Sequence, residues 1–100
     1  MKIREIISGQ SFTVYGIYWN YNKNYFYCFP KNGIGISSFS EDEVQITDPT
    51  LDADFGYVRT DKSISGIFHK HLLGDQLMDK LLDHDRDAYN KFVSLIGKEP

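Results

Sequence analysis

The stretch from residue 12 to residue 29, FTVYGIYWNYNKNYFYCF, predicts a β-hairpin and decides the fold class. Residues 12–19 are dense in β-branched and aromatic side chains, which favour strands. Residues 20–24 contain three asparagines, and asparagine tolerates the left-handed backbone of tight turns. Residues 25–29 then return as the next strand, which Pro30 ends because proline has no N–H to donate to a sheet.

The hairpin also predicts how its side chains divide between two faces, because side chains alternate along a strand. One face is expected to carry Tyr15, Ile17, Trp19 and Tyr21. The other face is expected to carry Phe12, Val14 and Tyr18. Nine of the fifteen aromatic residues fall within residues 12–29. A small sheet buries both faces of such a hairpin only if it curls into a barrel or meets a partner.

Shorter β patterns lie on both sides of the hairpin, at residues 3–7, 34–37, 44–47, 55–58 and 64–68. The last of these is either a short strand or an irregular approach to the helices. Asn32-Gly33 is a type I′ turn signal before the pattern at residues 34–37. Ser40 and Glu43 have the spacing of a capping box, which predicts a turn before the pattern at residues 44–47. Strands joined by such short turns form an antiparallel meander.

The last third of the chain changes to a helical period. Leu77, Met78, Leu81 and Leu82 fall on one helical face, and Asp75 is predicted to cap that helix. Asp85 is predicted to cap a second helix, and Gly97 to stop it. The apolar stripe of this second helix consists of Ala88, Tyr89, Phe92, Val93, Leu95 and Ile96.

The sequence therefore predicts one α+β domain over residues 1–100. Residues 1–68 are expected to be mainly β, as a curled antiparallel sheet of about five strands, and residues 75–97 to form a helical pair. An SH3-like barrel with appended helices is one concrete version. A length of 100 residues, with 41% hydrophobic and 25% charged residues, fits a single globular domain.

Two features bear on the compartment. The chain has no apolar run of the ~20 residues that span a bilayer, and its first five residues are not followed by the apolar core of a secretion signal. The single cysteine, Cys28, fits a reducing compartment and is expected to pack as a small apolar side chain. A cytoplasmic protein without a membrane partner is therefore expected.

The acidic residues are concentrated in the middle of the chain. Residues 41–61 carry seven carboxylates against one cation, Arg59, a net charge of −6, while residues 1–40 carry +3 and residues 62–100 carry zero. Such a segment repels phosphate and attracts basic proteins, although charge runs are often only solvated loops. If it is a contact surface, its charged residues are predicted to be Glu41, Asp42, Glu43, Asp48, Asp52 and Asp54.

Aromatic residues of the hairpin are predicted to anchor the same contact. Tyrosine and tryptophan combine an apolar body with a polar group, which suits interfaces. The predicted anchors are Tyr18, Trp19 and Tyr21. The structural alternative is that these rings fill a barrel core and form cross-strand pairs. Nucleic-acid binding is not expected, because residues 12–29 contain only one cation, Lys23.

His69 and His71 are the remaining candidates for chemistry and are expected to share one face of a strand. They could hold two positions of a metal site, with His84 or an aspartate as the third, but no cysteine or spaced carboxylate motif supports one. No metal or cofactor is therefore predicted. Imidazole titrates near neutral pH, so the pair could also serve as acid and base in metal-free RNA cleavage, with a nearby lysine or arginine for the phosphate.

In its length, its acidic stretch from Glu41 to Asp61 and its crowded Tyr/Trp hairpin, the chain resembles the small cytosolic immunity proteins of bacterial toxin systems, including contact-dependent inhibition. These proteins differ widely in fold. The resemblance implies an acidic surface that docks on the basic active site of a toxin, often a nuclease. We therefore expect a non-enzymatic inhibitor with no catalytic residues. The alternatives are a ribonuclease that uses His69 and His71, and an accessory domain that binds some other protein.

Overall fold

The computed structural model describes residues 1–31, 33–59, 65–74 and 76–100. Four predictions rest wholly or partly on the other residues and lie outside the described part: the turn at Asn32, the cap at Asp75, the strand end near residues 60–61 and the strand start at Ile64. Within the described residues the fold is α+β, as predicted, with an antiparallel sheet followed by two C-terminal helices.

The described residues contain seven strands rather than about five. The strands are β1 (Lys2–Glu5), β2 (Ser11–Asn20), β3 (Lys23–Cys28), β4 (Ser37–Ser40), β5 (Val44–Asp48), β6 (Phe55–Arg59) and β7 (Ser65–His69). Two 3-10 turns, η1 (Glu41–Glu43) and η2 (Lys70–Leu72), follow β4 and β7. The helices are α1 (Leu77–Leu82) and α2 (Arg86–Ile96).

The fourth strand begins at Ser37, three residues later than the predicted 34–37. The preceding loop is attached to the helices instead of the sheet. The backbone N–H of Ile36 donates to the carbonyl of Leu81 at 3.1 Å. A Cβ added at Gly35 would lie 2.4 Å from the ring of His84, so only glycine fits there.

The sheet is built around β2, whose two halves pair with different strands. Its first half pairs with β1 and its second half with β7, while β3 pairs along its other side. The order is β4–β3–β2–β1–β5, with β7 and then β6 branching from β2. Side chains of β1, β2, β3 and β5 meet in one core, so the sheet is curled. Among the described strands the order does not return to its start, so these strands do not close into a barrel.

A β-bulge at Tyr15 changes which side chains share a face. Val14 lies opposite Cys28 and Gly16 lies opposite Tyr27, so Tyr15 is an extra residue in β2. The predicted grouping of Tyr15 with residue 17 is therefore wrong, as is that of Tyr18 with residues 12 and 14. One inserted residue reverses the alternation for the rest of the strand.

Two hydrophobic cores lie on opposite sides of the sheet. The first fills the curl and consists of Ile3, Phe12, Val14, Phe26, Cys28 and Val44. The second lies between the sheet and the helices and consists of Tyr15, Phe29, Ile36, Leu72, Leu77, Leu81, Ala88 and Phe92. Cys28 is buried as predicted, and burial raises the pKa of its thiol to about 12, so it is a poor nucleophile.

The ends of α2 agree with the sequence prediction. The carboxylate of Asp85 accepts a hydrogen bond from the N–H of Ala88 at 2.9 Å, which is N-cap geometry. Gly97 ends the helix in the left-handed region, at φ 75°. Among the described residues, no helix is long and apolar enough to cross a membrane.

Candidate functional site

The 3-10 turn η1 presents three exposed carboxylates in succession, Glu41, Asp42 and Glu43. It lies beside the turn of the β2–β3 hairpin. The backbone N–H of Asn24 donates to Glu41 Oε1 at 3.2 Å, and Lys23 Nζ lies 2.5 Å from Asp42 Oδ2. The hydrogen bond that Lys23 donates to Asp42 raises the pKa of Lys23. One lysine offsets one of the three carboxylates, so η1 and its lysine remain negative together.

Both ends of η1 are held by hydrogen bonds. The backbone N–H of Ser40 donates to Glu43 Oε1 at 2.9 Å, as the capping-box spacing predicts. The carbonyl of Glu43 accepts from the N–H of Ile6 at 3.0 Å. The carboxylates are therefore displayed on a fixed piece of backbone between the hairpin and the β1–β2 turn.

The tip of the hairpin places a tyrosine in solvent beside η1. Tyr21 and Asn22 form a two-residue turn with φ of 51° and 64°. The side chain of Tyr21 is 90% exposed. Asparagine accepts this backbone region readily, whereas tyrosine does so at a cost. Nothing in the core requires a large ring at this position.

Trp19 is also partly exposed at this end of the sheet, and its ring lies 6.3 Å from that of Tyr57. Sequence reasoning missed Tyr57, which is 63% exposed. No sequence signal connects the two residues, because β7 lies between their strands. Tyr57 is opposite Ile67, which is opposite Ile17.

Tyr18 lies on the other face of the sheet. Its ring stacks on Tyr25, with centroids 5.0 Å apart and an interplanar angle of 13°. Its hydroxyl lies 3.0 Å from Ser38 Oγ. Trp19 is opposite the strand residue whose N–H bonds to η1, and Tyr21 lies in the adjoining turn. Tyr18 belongs instead to a separate, half-buried tyrosine cluster.

The six predicted acidic residues form two groups rather than one. Glu41, Asp42 and Glu43 precede β5, while Asp48 ends it, about 13 Å further along an extended strand. Hydrogen bonds from Thr50 lower the pKa of Asp48.

The remaining two carboxylates of the second group are engaged locally. Asp52 Oδ1 accepts from the backbone N–H of Asp54 at 2.8 Å. Asp54 pairs with Lys70 at 3.0 Å, and this contact lowers the pKa of the carboxyl. These contacts account for the positions of Asp52 and Asp54 without a partner.

His69 and His71 are adjacent, but the prediction that they share one face of a strand is wrong. His69 is the last residue of β7, and η2 begins at the next residue. The ring centroids are 5.3 Å apart. The N–H of His71 donates to His69 Nδ1 at 3.2 Å, so the proton of a neutral His69 ring is on Nε2.

The surroundings of His69 are mainly aromatic. Its side chain is 9% exposed and lies edge-on to the rings of Tyr15, Phe55 and Phe92. Burial, followed by the nearby charge of His71, lowers the pKa of His69. Among the described residues, no three His, Cys, Asp or Glu side chains are grouped as a metal site.

No family model matches the chain, and no curated protein or solved structure matches it either.

Proposed function

We propose that this chain is a non-enzymatic immunity protein that binds and neutralises a basic bacterial toxin domain, with a nuclease as the expected class. The observation that supports this most is the position of η1. Its three exposed carboxylates stand on a fixed turn that is hydrogen-bonded to the β2–β3 hairpin, and the same hairpin carries the exposed rings of Trp19 and Tyr21. Acidic and aromatic groups of this kind complement a cationic protein surface.

Charge and aromatic area have different roles in this contact. The carboxylates of η1 attract a cationic partner at long range and raise the association rate. The rings of Trp19, Tyr21 and Tyr57 offer large apolar areas with few rotatable bonds, which slows dissociation once water is excluded. The hydrogen bonds that hold η1 reduce the entropy lost on binding.

The second acidic group has a lesser role in the proposal. Asp48, Asp52 and Asp54 contribute to the negative field, but their carboxylates already accept local hydrogen bonds. Tyr18 also lies outside the proposed contact, because it faces the other side of the sheet. The proposed contact therefore includes Tyr57 and excludes four of the nine residues predicted from sequence.

The ribonuclease alternative receives no specific support. The cation closest in sequence to the histidines, Lys70, is paired with Asp54, so a phosphate would have to displace a carboxylate. His69 is buried among aromatic rings, and its Nδ1 already accepts a backbone hydrogen bond. An accessory domain would use the same surface and differ only in its partner.

The test is a kinetic binding measurement. The probe is the toxin domain encoded beside the gene for this chain, purified with its catalytic residue replaced. In the double variant Glu41→Lys with Asp42→Lys, the association rate at low salt should fall on the order of tenfold and lose most of its salt dependence. Glu43 is left in place because it caps η1.

A matched control has the same change in charge elsewhere. Asp83→Lys with Glu99→Lys alters two exposed carboxylates of the C-terminal region and should change the association rate much less. Absence of binding by the unaltered chain, or equal losses in both double variants, would contradict the proposed function.

A further inference from the structure

The turn between β1 and β2 exposes two isoleucines next to η1. Ile7 is 94% exposed and Ile6 is 56% exposed. Single exposed apolar residues are common on protein surfaces. Two exposed isoleucines in succession at the tip of a turn are less common. The hydrogen bonds of the turn show whether the fold requires them.

The turn is held by its polar groups, not by its isoleucines. The N–H of Gly9 donates to the carbonyl of Glu5 at 2.8 Å, and the N–H of Glu5 donates to the carbonyl of Gln10 at 2.8 Å. Ser8 Oγ donates to Glu5 Oε1 at 2.6 Å and accepts from the N–H of Gln10 at 3.2 Å. These bonds would persist with polar residues at positions 6 and 7, so the fold does not require the exposed isoleucine side chains.

The turn and η1 form one continuous surface. The N–H of Ile6 donates to the carbonyl of Glu43, while the other end of η1 is bonded to the hairpin through Asn24 and Glu41. The acidic turn is thus hydrogen-bonded at one end to the hairpin that carries Trp19 and Tyr21, and at the other end to the turn that carries the exposed isoleucines.

We infer that Ile7 is an apolar anchor that inserts into a pocket on a cationic protein surface, with η1 contacting the basic residues around that pocket. This inference rests on the proposed function and adds the shape of the partner. Charge complementarity favours a cationic protein as the partner of this surface. A second copy of the chain would bring one η1 close to another, and an anionic membrane would be repelled by the same carboxylates.

The experiment compares Ile7→Ser with Leu73→Ser in binding to the same inactivated toxin domain. Leu73 is also partly exposed, at 43%, but follows η2. Ile7→Ser should speed dissociation roughly tenfold or more, from the lost apolar burial, with little change in association rate or salt dependence. Leu73→Ser should leave both rates nearly unchanged. Thermal unfolding of Ile7→Ser should match that of the unaltered chain.

The possible outcomes separate the two proposals. Binding that is weakened by the Glu41 and Asp42 reversal but not by Ile7→Ser overturns the anchor and leaves the proposed function intact. An unaltered chain that does not bind the toxin domain overturns the proposed function, and the anchor with it. A dimer of the chain alone, seen by sedimentation and dissolved by Ile7→Ser, would assign the isoleucines to self-association and also overturn the anchor.

Discussion

Aromatic residues lie in opposite environments at the bulge of β2 and at the hairpin tip that follows it. Tyr15, at the bulge, is buried against the helices, with its ring 5.4 Å from Phe92 and 5.6 Å from Phe29. Trp19 and Tyr21, a few residues later, are exposed near the tip of the hairpin. A high density of aromatic residues therefore does not show by itself whether the rings are buried or exposed. Burial depends on whether another element, here the C-terminal helices, packs against them.

The largest expected effect tests the buried end. Phe92→Ala should lower the free energy of unfolding by about 3–5 kcal/mol, because it leaves a cavity among Tyr15, Phe29 and His69. Tyr21→Ala should change it by less than about 0.5 kcal/mol. Urea denaturation of both variants measures the contrast. Similar losses from the two variants would show that the hairpin tip belongs to the core.

The exposed end is tested by binding. Trp19→Ala should weaken binding to the inactivated toxin domain by about 2 kcal/mol or more, as for an aromatic residue central to an interface. Tyr18→Ala should weaken it much less, because Tyr18 lies on the other face. Titration calorimetry gives both affinities. A greater effect at Tyr18 would move the proposed contact to the tyrosine cluster.

Two glycines in neighbouring strands, Gly66 and Gly56, test how tightly the sheet is packed around β7. A Cβ added at Gly66 would lie 2.4 Å from the carbonyl oxygen of Ile17 and 2.7 Å from the ring of Phe68. Gly66→Ala should therefore cost about 1–3 kcal/mol of unfolding free energy.

Gly56 is the matched control for that substitution. It lies in the neighbouring strand β6, and a Cβ there would meet nothing within 4 Å. Gly56→Ala should be close to neutral when both variants are compared by urea denaturation. Equal effects of the two substitutions would show that the contact between Gly66 and Phe68 is not rigid.

The smallest expected effect is a pH dependence of the folding stability, which comes from His69 beside the buried Tyr15. The pKa of His69 is lower in the folded protein than its ordinary value of 6.5, so the unfolded chain binds the proton first as the pH falls. The stability from neutral His69 is complete above pH 6.5 and is lost as the pH falls below it toward the folded pKa.

A variant that lacks the imidazole separates this pH dependence from that of the other groups of the chain. Urea unfolding between about pH 7.5 and about pH 5 should show a decline in the unaltered chain and a smaller decline in His69→Gln. An unchanged slope in the variant would assign the decline to another group.

The helices and the hairpin were predictable because their signals are local. The spacing of Asp85, the apolar stripe and Gly97 determines both ends of α2 within a dozen residues. The asparagines around Tyr21 predicted a turn that the structure confirms. By contrast, the bulge at Tyr15 has no comparable signal in the sequence, and it reversed the predicted faces of every later residue in β2.

The candidate site was predictable only in part. The acidic run at 41–43 is contiguous in sequence, so its exposure on one turn follows from a capping box and three charges. Tyr57 and Ile7 depend on pairings between distant segments. Tyr57 reaches Trp19 only because β7 inserts between β2 and β6, and Ile6 reaches η1 only because β5 pairs with β1.

The α+β class, the order of strands before helices and the caps of α2 follow from local sequence signals, because period, turn chemistry and capping act over a few residues. The burial of particular aromatic rings, the division of the carboxylates into two groups and the order of the described strands in the sheet follow from tertiary contacts. These depend on strand pairing and packing between distant segments, whose free energies no local pattern encodes.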